Sequence, residues 1–288
     1  MKFEYNKPIY LEKFHKRSVE ILVVIDEFCK KNQIKYFLIG GTLLGAIHFN
    51  GFIPWDDDID IGMLREDYEK FINLWQDTDT LQLLNHLKYE DYPLLYSKVS
   101  DRRSVVESSG FSKELSFTQG VFVDIIPFDY MEESYHKAVK VQKAVKFWNV
   151  ILRNKKIKIA TKGNFFTNII VTFVRIISSL IHRLYGRERI IKIINKKLFH
   201  EKGEYFVDYL QPGELKKEIF PTQFVENLIE WPFEQYHFPI VSEYKKAIKI
   251  QYGEEFSQPP LEEIEQGFHG FSYIEIDNVK YIEDGRPV

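Results

Sequence analysis

The first part of the chain alternates between helical and strand-like hydrophobic patterns. Between Tyr10 and Lys31 the apolar residues recur three or four positions apart, which predicts an amphipathic helix. The run IKYFLIGG is short, rich in β-forming residues and closed by Gly40 and Gly41. The following TLLGAIHF predicts a helix that opens at Thr42, so the predicted order is strand, glycine turn and helix.

A strand with an acidic face is predicted next. In the run DDDIDIGM polar and apolar residues alternate, and side chains two positions apart on a strand share one face. Asp58 and Asp60 should therefore project together. Because like charges at that distance repel each other, the pair is costly unless a cation lies between them. Carboxylate oxygens suit a hard ion such as Mg²⁺ or Mn²⁺, whereas the alternative is an acidic loop that caps a helix.

A third carboxylate lies inside an apolar run. Asp124 interrupts VFVDII, and an unpaired ionised carboxylate in a strand core would cost several kcal/mol. We expect the same cation to compensate it, so Asp58, Asp60 and Asp124 are the predicted metal ligands and catalytic carboxylates. Replacing any one of them with Asn should then relieve repulsion in the metal-free chain. Asp129 is predicted to be a turn residue.

The glycine turn offers a place for phosphate. Backbone N–H groups at the start of a helix have no partner within the helix and favour an anion. Beside a carboxylate-bound cation, such a turn is an arrangement for phosphoryl transfer, although a plain tight turn is the alternative. Lys98, in a predicted strand between the two acidic motifs, is a candidate contact for nucleotide phosphates.

The middle of the chain is strongly basic, although the whole chain has a formal net charge of -3. Between Lys137 and Lys202, 17 Lys and Arg residues stand against Glu188 and Glu201, a balance of +15. Such an excess is typical of surfaces for polyanions or, on composition alone, of solvated helix faces. The flanking basic residues include Lys155, Lys156, Lys158, Arg183, Arg187 and Arg189.

Within this basic segment, NFFTNIIVTFVRIISSLIHRLYG carries an apolar helical stripe from Phe166 to Ile181. We expect the stripe to pack on the core. The alternative is a helix that lies on an anionic bilayer, and the apolar stretch is too short and too polar for a comfortable transmembrane span.

Composition narrows the class of protein. A chain of 288 residues with 44% hydrophobic residues can bury the core of one large domain or two small ones. The single cysteine, Cys29, cannot form an intrachain disulfide and has no zinc-type spacing around it. The N-terminal sequence lacks the apolar core of a signal peptide, so we expect a cytoplasmic protein.

Four segments carry a resemblance to a known family: IGGTLLGAIHFNGFIPWDDDIDIGM, EDYEKF, VFVDIIPFD and WPFEQYHFPIVSEYKKAIKIQYGEEFSQPP. Together they resemble the LicD family of phosphocholine transferases, related to fukutin-type ribitol-phosphate transferases, over about residues 10–130 and 220–270. The resemblance implies an α/β fold of the nucleotidyltransferase (polymerase β) type, a mixed sheet flanked by helices with a basic helical insertion. The predicted parts are a catalytic core at 1–130, the insertion at 131–205, and the C-terminal part of the catalytic domain at 206–288.

The resemblance also implies a reaction. An acceptor hydroxyl would attack the distal phosphate of CDP-choline or a related CDP-alcohol and release CMP, with Mg²⁺ or Mn²⁺ as cofactor. The acceptor would be a cell-surface glycan precursor such as lipopolysaccharide or teichoic acid, lipid-linked and met at the inner face of the cytoplasmic membrane; no nucleic acid is expected. The alternatives are nucleotidyl transfer from a triphosphate, which releases pyrophosphate, and a non-catalytic glycan- or membrane-binding module.

The family's functional residues carry over to particular positions. Phosphate-binding and metal-binding positions match Gly40, Gly41, Thr42, Asp58, Asp60 and Asp124. Family members often carry an Arg-His pair where this chain has His48 and Phe49, so His48 is a candidate phosphate contact, with a helix-surface histidine as the alternative. Trp55 is a candidate to stack on a base or enclose a choline group, with core packing as the alternative. His269 is a further binding candidate.

Overall fold

The computed structural model describes residues 10–108, 115–131, 134–154, 165–198, 201–211, 213–253 and 271–282. The helices are α1 (Leu11–Asn32), α2 (Gly40–Phe49), α3 (Arg65–Leu74), α4 (Tyr135–Arg153), α5 (Phe165–Tyr185), α6 (Arg187–Leu198), α7 (Gln223–Glu226) and α8 (Tyr244–Tyr252). The strands are β1 (Phe37–Leu38), β2 (Asp60–Leu64), β3 (Leu81–Leu84), β4 (Ser97–Asp101), β5 (Ser104–Ser108), β6 (Phe122–Tyr130), β7 (Tyr205–Val207), β8 (Ile219–Pro221), β9 (Leu228–Phe233), β10 (Tyr236–Val241), β11 (Phe271–Ile276) and β12 (Val279–Ile282). The candidates His269, Lys155, Lys156 and Lys158 lie outside the described residues.

The chain divides into two compact units. The first unit combines Met1–Phe128 with Thr222–Val288, and the second unit is Asp129–Pro221. The first unit is therefore discontinuous in sequence. The prediction from sequence divides the chain by function, into a catalytic core at 1–130, an insertion at 131–205 and a C-terminal catalytic part at 206–288. That functional division stays a prediction.

A mixed sheet organises the first unit. Its strand order is β1-β2-β6-β4-β3, with β2 and β6 parallel and the other neighbours antiparallel. The first-unit part of β6 is buried throughout, as expected for a central strand that is apolar apart from Asp124. Pro127 lies beyond the last residue of β6 that pairs with β4, where the sheet tolerates a missing N–H donor. The expected mixed sheet flanked by helices is confirmed.

Helix α1 matches the helix predicted from the hydrophobic pattern. Its buried face includes Leu11, Phe14, Leu22 and Ile25, which recur at helical spacing. Phe14 lies edge-on to Phe122 of β6, with ring centroids 6.0 Å apart. The helix covers the sheet with this face and ends where the next residue adopts the left-handed conformation, at a φ of 53°.

An ion-pair network joins distant parts of the first unit. Arg17 of α1 binds Asp101 at the end of β4 and Asp277 in the β11–β12 turn, each across 2.8 Å. Asp101 is fully buried and also pairs with Arg103. Because two guanidinium groups surround it, this buried carboxylate has the partners that make its burial tolerable. Strand β11 in turn pairs with β5, so the C-terminal segment completes the unit.

The second unit contains α4, α5 and α6 together with β7 and β8. The last two residues of β6 also belong to it, and Asp129 pairs there with Val207 of β7. The prediction that Asp129 is a turn residue is therefore wrong. Its side chain is buried and its backbone continues a strand whose neighbour is 78 positions away, which local sequence does not reveal.

Helix α5 confirms the predicted helix but reverses its expected orientation. Ser178, Ser179 and His182 are buried, whereas the apolar stripe is exposed within the described part of the chain except at Ile181, which is half-buried. The prediction that the stripe packs on the core is therefore wrong for the described residues. The exposed stripe residues are Phe166, Ile169, Ile170, Phe173, Ile177 and Leu180. Phe166–Tyr185 is also, by length and composition only, long and apolar enough to cross a membrane, contrary to the expectation from sequence.

Asp208 makes the stability of the second unit depend on pH. Burial raises the pKa of Asp208 to about 7, and the carboxylates of Glu218 and Asp129 add to the shift. Burial also raises the pKa of Glu218 to about 7. Since these folded-state values exceed those of an unfolded chain, ionisation opposes folding as the pH rises from about 4 to about 7.

We therefore expect Asp208→Asn to lose less stability than the parent protein between pH 4 and pH 8. The difference should be a few kcal/mol at most, because each pKa unit corresponds to about 1.36 kcal/mol. Urea unfolding at both pH values measures it, with Glu204→Gln, an exposed site in the same unit, as the control. An identical pH dependence in parent and Asp208→Asn would contradict the assignment.

Candidate active site

Three charged residues stand side by side on neighbouring strands of the first unit. Asp60 of β2 lies opposite Asp124 of β6, and Lys98 of β4 lies opposite Asp124 from the other side. Residues opposite one another on paired strands point to the same face of a sheet. The sheet therefore carries a row of two carboxylates and an ammonium group.

Asp58 joins the two carboxylates of this row. Carboxylate oxygens of Asp58, Asp60 and Asp124 all lie within 4.8 Å of one another. Asp58 reaches the group from the segment that precedes β2, because the strand begins only at Asp60, so the predicted placement of Asp58 on the strand is wrong. The predicted gathering of the three carboxylates agrees with the geometry. Oxygen ligands at this spacing fit a hard divalent cation, whose bonds to oxygen are about 2.0–2.6 Å long.

A second acidic group overlaps the first. Oxygens of Asp56, Asp57 and Asp58 also lie within 4.8 Å of one another. Asp57 is fully buried, whereas Asp56 is half-buried. The carboxylates before β2 therefore form one continuous acidic segment that reaches Asp60 and Asp124 through Asp58.

The carboxylates repel each other in the metal-free chain. Burial, followed by the charges of Asp58, Asp124 and Asp56, raises the pKa of Asp60 well above its ordinary value. Lys98 opposes that shift. The net upward direction means that ionising Asp60 costs the folded protein free energy, which a bound cation would recover.

Lys98 is the ion-pair partner of Asp124. Its Nζ lies 2.5 Å from Asp124 Oδ1 and 3.6 Å from the centroid of the Phe122 ring, and both residues of the pair are buried. Asp124 is thus compensated by a lysine, and the premise that it is unpaired in the strand core is wrong. The sequence contains both residues but not the β4–β6 register that brings them together. As the structure stands, the ammonium group predicted to contact phosphate is engaged by a carboxylate.

The glycine pair lies at the start of α2, beside the carboxylates. The helix opens at Gly40, two residues before the predicted start at Thr42. Gly40 has a φ of +54°, which disfavours a side chain, and a Cβ there would stand 3.7 Å from Asp60 Oδ2. A Cβ on Gly41 would stand 2.4 Å from Asp56 Oδ2. The glycines allow the helix start to approach the acidic cluster closely.

Thr42 holds the strand that carries Asp60. The backbone N–H of Asp60 donates to Thr42 Oγ1 across 2.8 Å, and Thr42 is buried. Thr42 belongs to the turn predicted to hold phosphate, and its hydroxyl oxygen accepts from the protein backbone. Thr42 positions Asp60, a role that its place in the glycine motif did not indicate.

His48 and Trp55 occupy positions that match their structural alternatives, and their binding roles stay predictions. His48 is exposed near the end of α2, about 12 Å along the helix axis from Gly40 at 1.5 Å per residue. Trp55 is 5% exposed and packs in an apolar cluster with Leu44 and Ile53. Burial of the indole in this cluster is the core-packing role.

Two residues from distant parts of the sequence hydrogen-bond to the backbone of the acidic segment or of the residues just before it. Sequence analysis missed both. His15 of α1 donates through Nε2 to the carbonyl oxygen of Asp56 across 2.7 Å and stacks on Phe52 with centroids 3.6 Å apart. Glu234, in the β9–β10 turn, accepts from the N–H of Phe52 across 3.3 Å. Neither contact has a local sequence signal, because the partners are 41 and 182 residues apart.

Comparison with known proteins identifies a family that the chain resembles. Residues 33–161 match the family described as LicD/FKTN/FKRP, nucleotidyltransferase domain. The predicted resemblance to the LicD family is therefore confirmed. The LicD-matched segment includes the glycine pair, the acidic segment, Lys98 and Asp124.

One relative extends the similarity beyond this segment. Over 263 residues, the chain is 27% identical to the lipopolysaccharide cholinephosphotransferase LicD of Haemophilus influenzae, covering 85% of this chain and 91% of that protein. An uncharacterized protein of Rickettsia typhi is 32% identical over 126 residues, 43% of this chain and 37% of the relative. One from Rickettsia prowazekii is 56% identical over 41 residues, 14% and 15% of the two chains.

The Lys98–Asp124 pair predicts that Asp60 and Asp124 differ in their effect on the stability of the metal-free protein. Asp60→Asn removes a repelled charge and should leave the free energy of unfolding unchanged or higher at pH 7.5 with chelator present. Asp124→Asn leaves the ammonium group of Lys98 buried without this carboxylate, so it should lower the free energy of unfolding by about 3 kcal/mol. Urea unfolding measures both, with Asp79→Asn at an exposed site as the control.

A double variant isolates the ion pair. Lys98→Met combined with Asp124→Asn should recover part of the stability that Asp124→Asn loses, because neither charge is then left alone. Equal stability of Asp124→Asn and Asp60→Asn would show that the Lys98–Asp124 contact does not compensate the carboxylate.

Proposed function

We propose that this chain transfers an alcohol phosphate, phosphocholine being the first candidate, from a CDP-alcohol to a hydroxyl group of a lipid-linked glycan, and releases CMP. The observation that carries the proposal is the gathering of Asp58, Asp60 and Asp124 within 4.8 Å beside the opening of α2. Similarity to a lipopolysaccharide cholinephosphotransferase over 85% of the chain supports this class of reaction.

We also propose that the first unit has a nucleotidyltransferase-like fold. A helix opened by glycines precedes an acidic strand, and the third acid stands on the neighbouring parallel strand. The description of the matched family supports this architecture. The same features are compatible with nucleotidyl transfer from a triphosphate, so the products of the reaction must distinguish the two.

Asp58, Asp60 and Asp124 would hold the metal ion, Mg²⁺ or Mn²⁺. The donor set is all carboxylate oxygen, and the repulsion that raises the pKa of Asp60 is the kind that a divalent cation relieves. When bound, such an ion neutralises charge on the transferring phosphate. Lys98 holds Asp124 in place from the side of β4, so the carboxylate is fixed before substrate arrives.

The start of α2 would hold the donor phosphates. Free backbone N–H groups and the positive end of the helix dipole favour an anion there. The carboxylate of Asp56 beside Gly41 would repel that anion, so the phosphates and the acidic segment require positive charge between them. Thr42 contributes by fixing the backbone of Asp60, whose carboxylate lies beside those of Asp58 and Asp124.

The products released from a panel of donors test the proposal. With Mg²⁺ or Mn²⁺ we expect slow release of CMP from at least one of CDP-choline, CDP-ribitol and CDP-glycerol even without acceptor, because water can replace the hydroxyl nucleophile. Chromatography of the nucleotide products measures it. Pyrophosphate from a nucleoside triphosphate would favour the nucleotidyl-transfer alternative, and no product from any donor would favour a non-catalytic module.

Metal binding should depend on the same three carboxylates. We expect Mg²⁺ or Mn²⁺ to raise the thermal midpoint of the parent protein, since a ligand that binds only the folded state stabilises it by mass action, about 2.7 kcal/mol at 100 times its Kd. Asp58→Asn should abolish most of this shift and lower CMP release by more than ~100-fold, because even the outer partners of metal sites commonly matter 10–100-fold. The control Asp79→Asn should retain both the metal-dependent rise of the thermal midpoint and the rate of CMP release. If metal raised the midpoint of Asp58→Asn as much as that of the parent, Asp58 would not be a metal ligand.

A further inference from the structure

Helix α5 presents an apolar surface on the outside of the second unit. We define its outer face as Phe166, Ile169, Ile170, Phe173, Ile177 and Leu180, whose exposed fractions run from 41% to 76%. The spacing of three and four residues places all six along one side of the helix. Contiguous apolar surface of this kind marks an interaction site far more often than scattered single residues do.

The opposite side of α5 faces protein. Ser178, Ser179 and His182 are buried there, and α5 contacts both α4 and α6. Tyr185 meets Trp148 of α4 with ring centroids 5.2 Å apart. The polar side of the helix is therefore held by neighbouring helices, while the apolar side is left outside.

This arrangement favours a helix in the plane of a bilayer surface. A helix that crosses a bilayer alone meets lipid on every side, whereas α5 has one side packed against protein. A helix with one apolar and one polar face lies at the boundary between headgroups and acyl chains, with the apolar face buried about 5–10 Å. The length that would let α5 cross a membrane does not argue against this placement, because many helices that lie on a bilayer are about 20–30 residues long.

Charge identifies the kind of bilayer. Helices α5 and α6 carry seven basic residues and one acidic residue, Glu188. The basic residues are Arg175, Arg183, Arg187, Arg189, Lys192, Lys196 and Lys197. Arg183, Arg189, Lys192 and Lys196 are exposed. Basic residues beside an amphipathic helix are attracted to anionic headgroups.

We propose that the outer face of α5 inserts into the headgroup boundary of an anionic lipid bilayer and that the exposed basic residues of α5 and α6 contact the lipid phosphates. A second copy of this chain is the less suitable occupant, because a symmetric contact through α5 would bring the same positive charges together. The inference concerns the second unit and holds whether or not the first unit transfers phosphocholine.

Co-sedimentation of the full chain with lipid vesicles tests the proposal. We expect recovery with phosphatidylglycerol vesicles that falls at least ~10-fold from low to high salt, because salt screens surface charge, and little recovery with phosphatidylcholine vesicles. Phe173→Glu, at a side chain that is 62% exposed, should lower binding to phosphatidylglycerol at least ~10-fold by placing a charge in the apolar face. Leu87→Glu, 60% exposed in the first unit, should bind as the parent does.

Circular dichroism and thermal midpoints of the variants accompany the binding data. If Phe173→Glu fails to fold, Ile170→Ser, at a side chain that is 64% exposed, replaces it. Equal recovery on both vesicle types, no recovery on either, or unchanged binding of the outer-face variant would overturn the proposal. Self-association of the parent without lipid, abolished by Phe173→Glu in analytical ultracentrifugation, would instead assign the face to a second copy.

Discussion

The register of β2, β6 and β4 is the constraint on which the site depends. A shift of β2 by one residue would send Asp60 to the opposite face of the sheet and remove it from Asp124. Gly62 resists that shift, because a Cβ there would stand 2.8 Å from the Phe128 ring and 2.9 Å from Phe37. The hydrogen bond from Asp60 to Thr42 fixes the same strand from α2. Tight packing around Gly62 thus fixes the register that places Asp60 beside Asp124.

Buried carboxylates of the first unit occur in two settings that differ in how much positive charge surrounds them. At Asp101 the guanidinium groups of Arg17 and Arg103 face a single carboxylate, so the charge serves to join α1, β4 and the C-terminal hairpin. At the site, three carboxylates share a volume in which Lys98 pairs with one of them. The first arrangement is complete as it stands. The second retains repulsion, as the raised pKa of Asp60 indicates, and such retained repulsion is a common property of sites that bind cations.

Sequence pattern predicted the parts of the fold that depend on neighbouring residues. The spacing of apolar residues predicted α1 and α5, and the crowding of acids around Asp58 and Asp60 indicated where carboxylates would gather. Lys98 was placed on a strand but not opposite Asp124, because register is a long-range property. The opening of α2 at Gly40 was missed since a glycine pair is equally compatible with a turn. For α5 the periodicity predicted two faces but not which of them meets protein, and that depends on the partner helices.

The discontinuity of the first unit has a consequence for the order in which the protein matures on the ribosome. Strand β5 ends at Ser108, and its partner β11 begins at Phe271, about 160 residues later. At translation speeds of about 5–20 residues per second, roughly 10–30 seconds pass between the synthesis of β5 and the synthesis of this partner strand. All of Asp129–Pro221 is synthesised during this interval. The nascent chain can therefore complete its second unit, which carries the exposed side of α5, before β5 of the first unit acquires its partner strand.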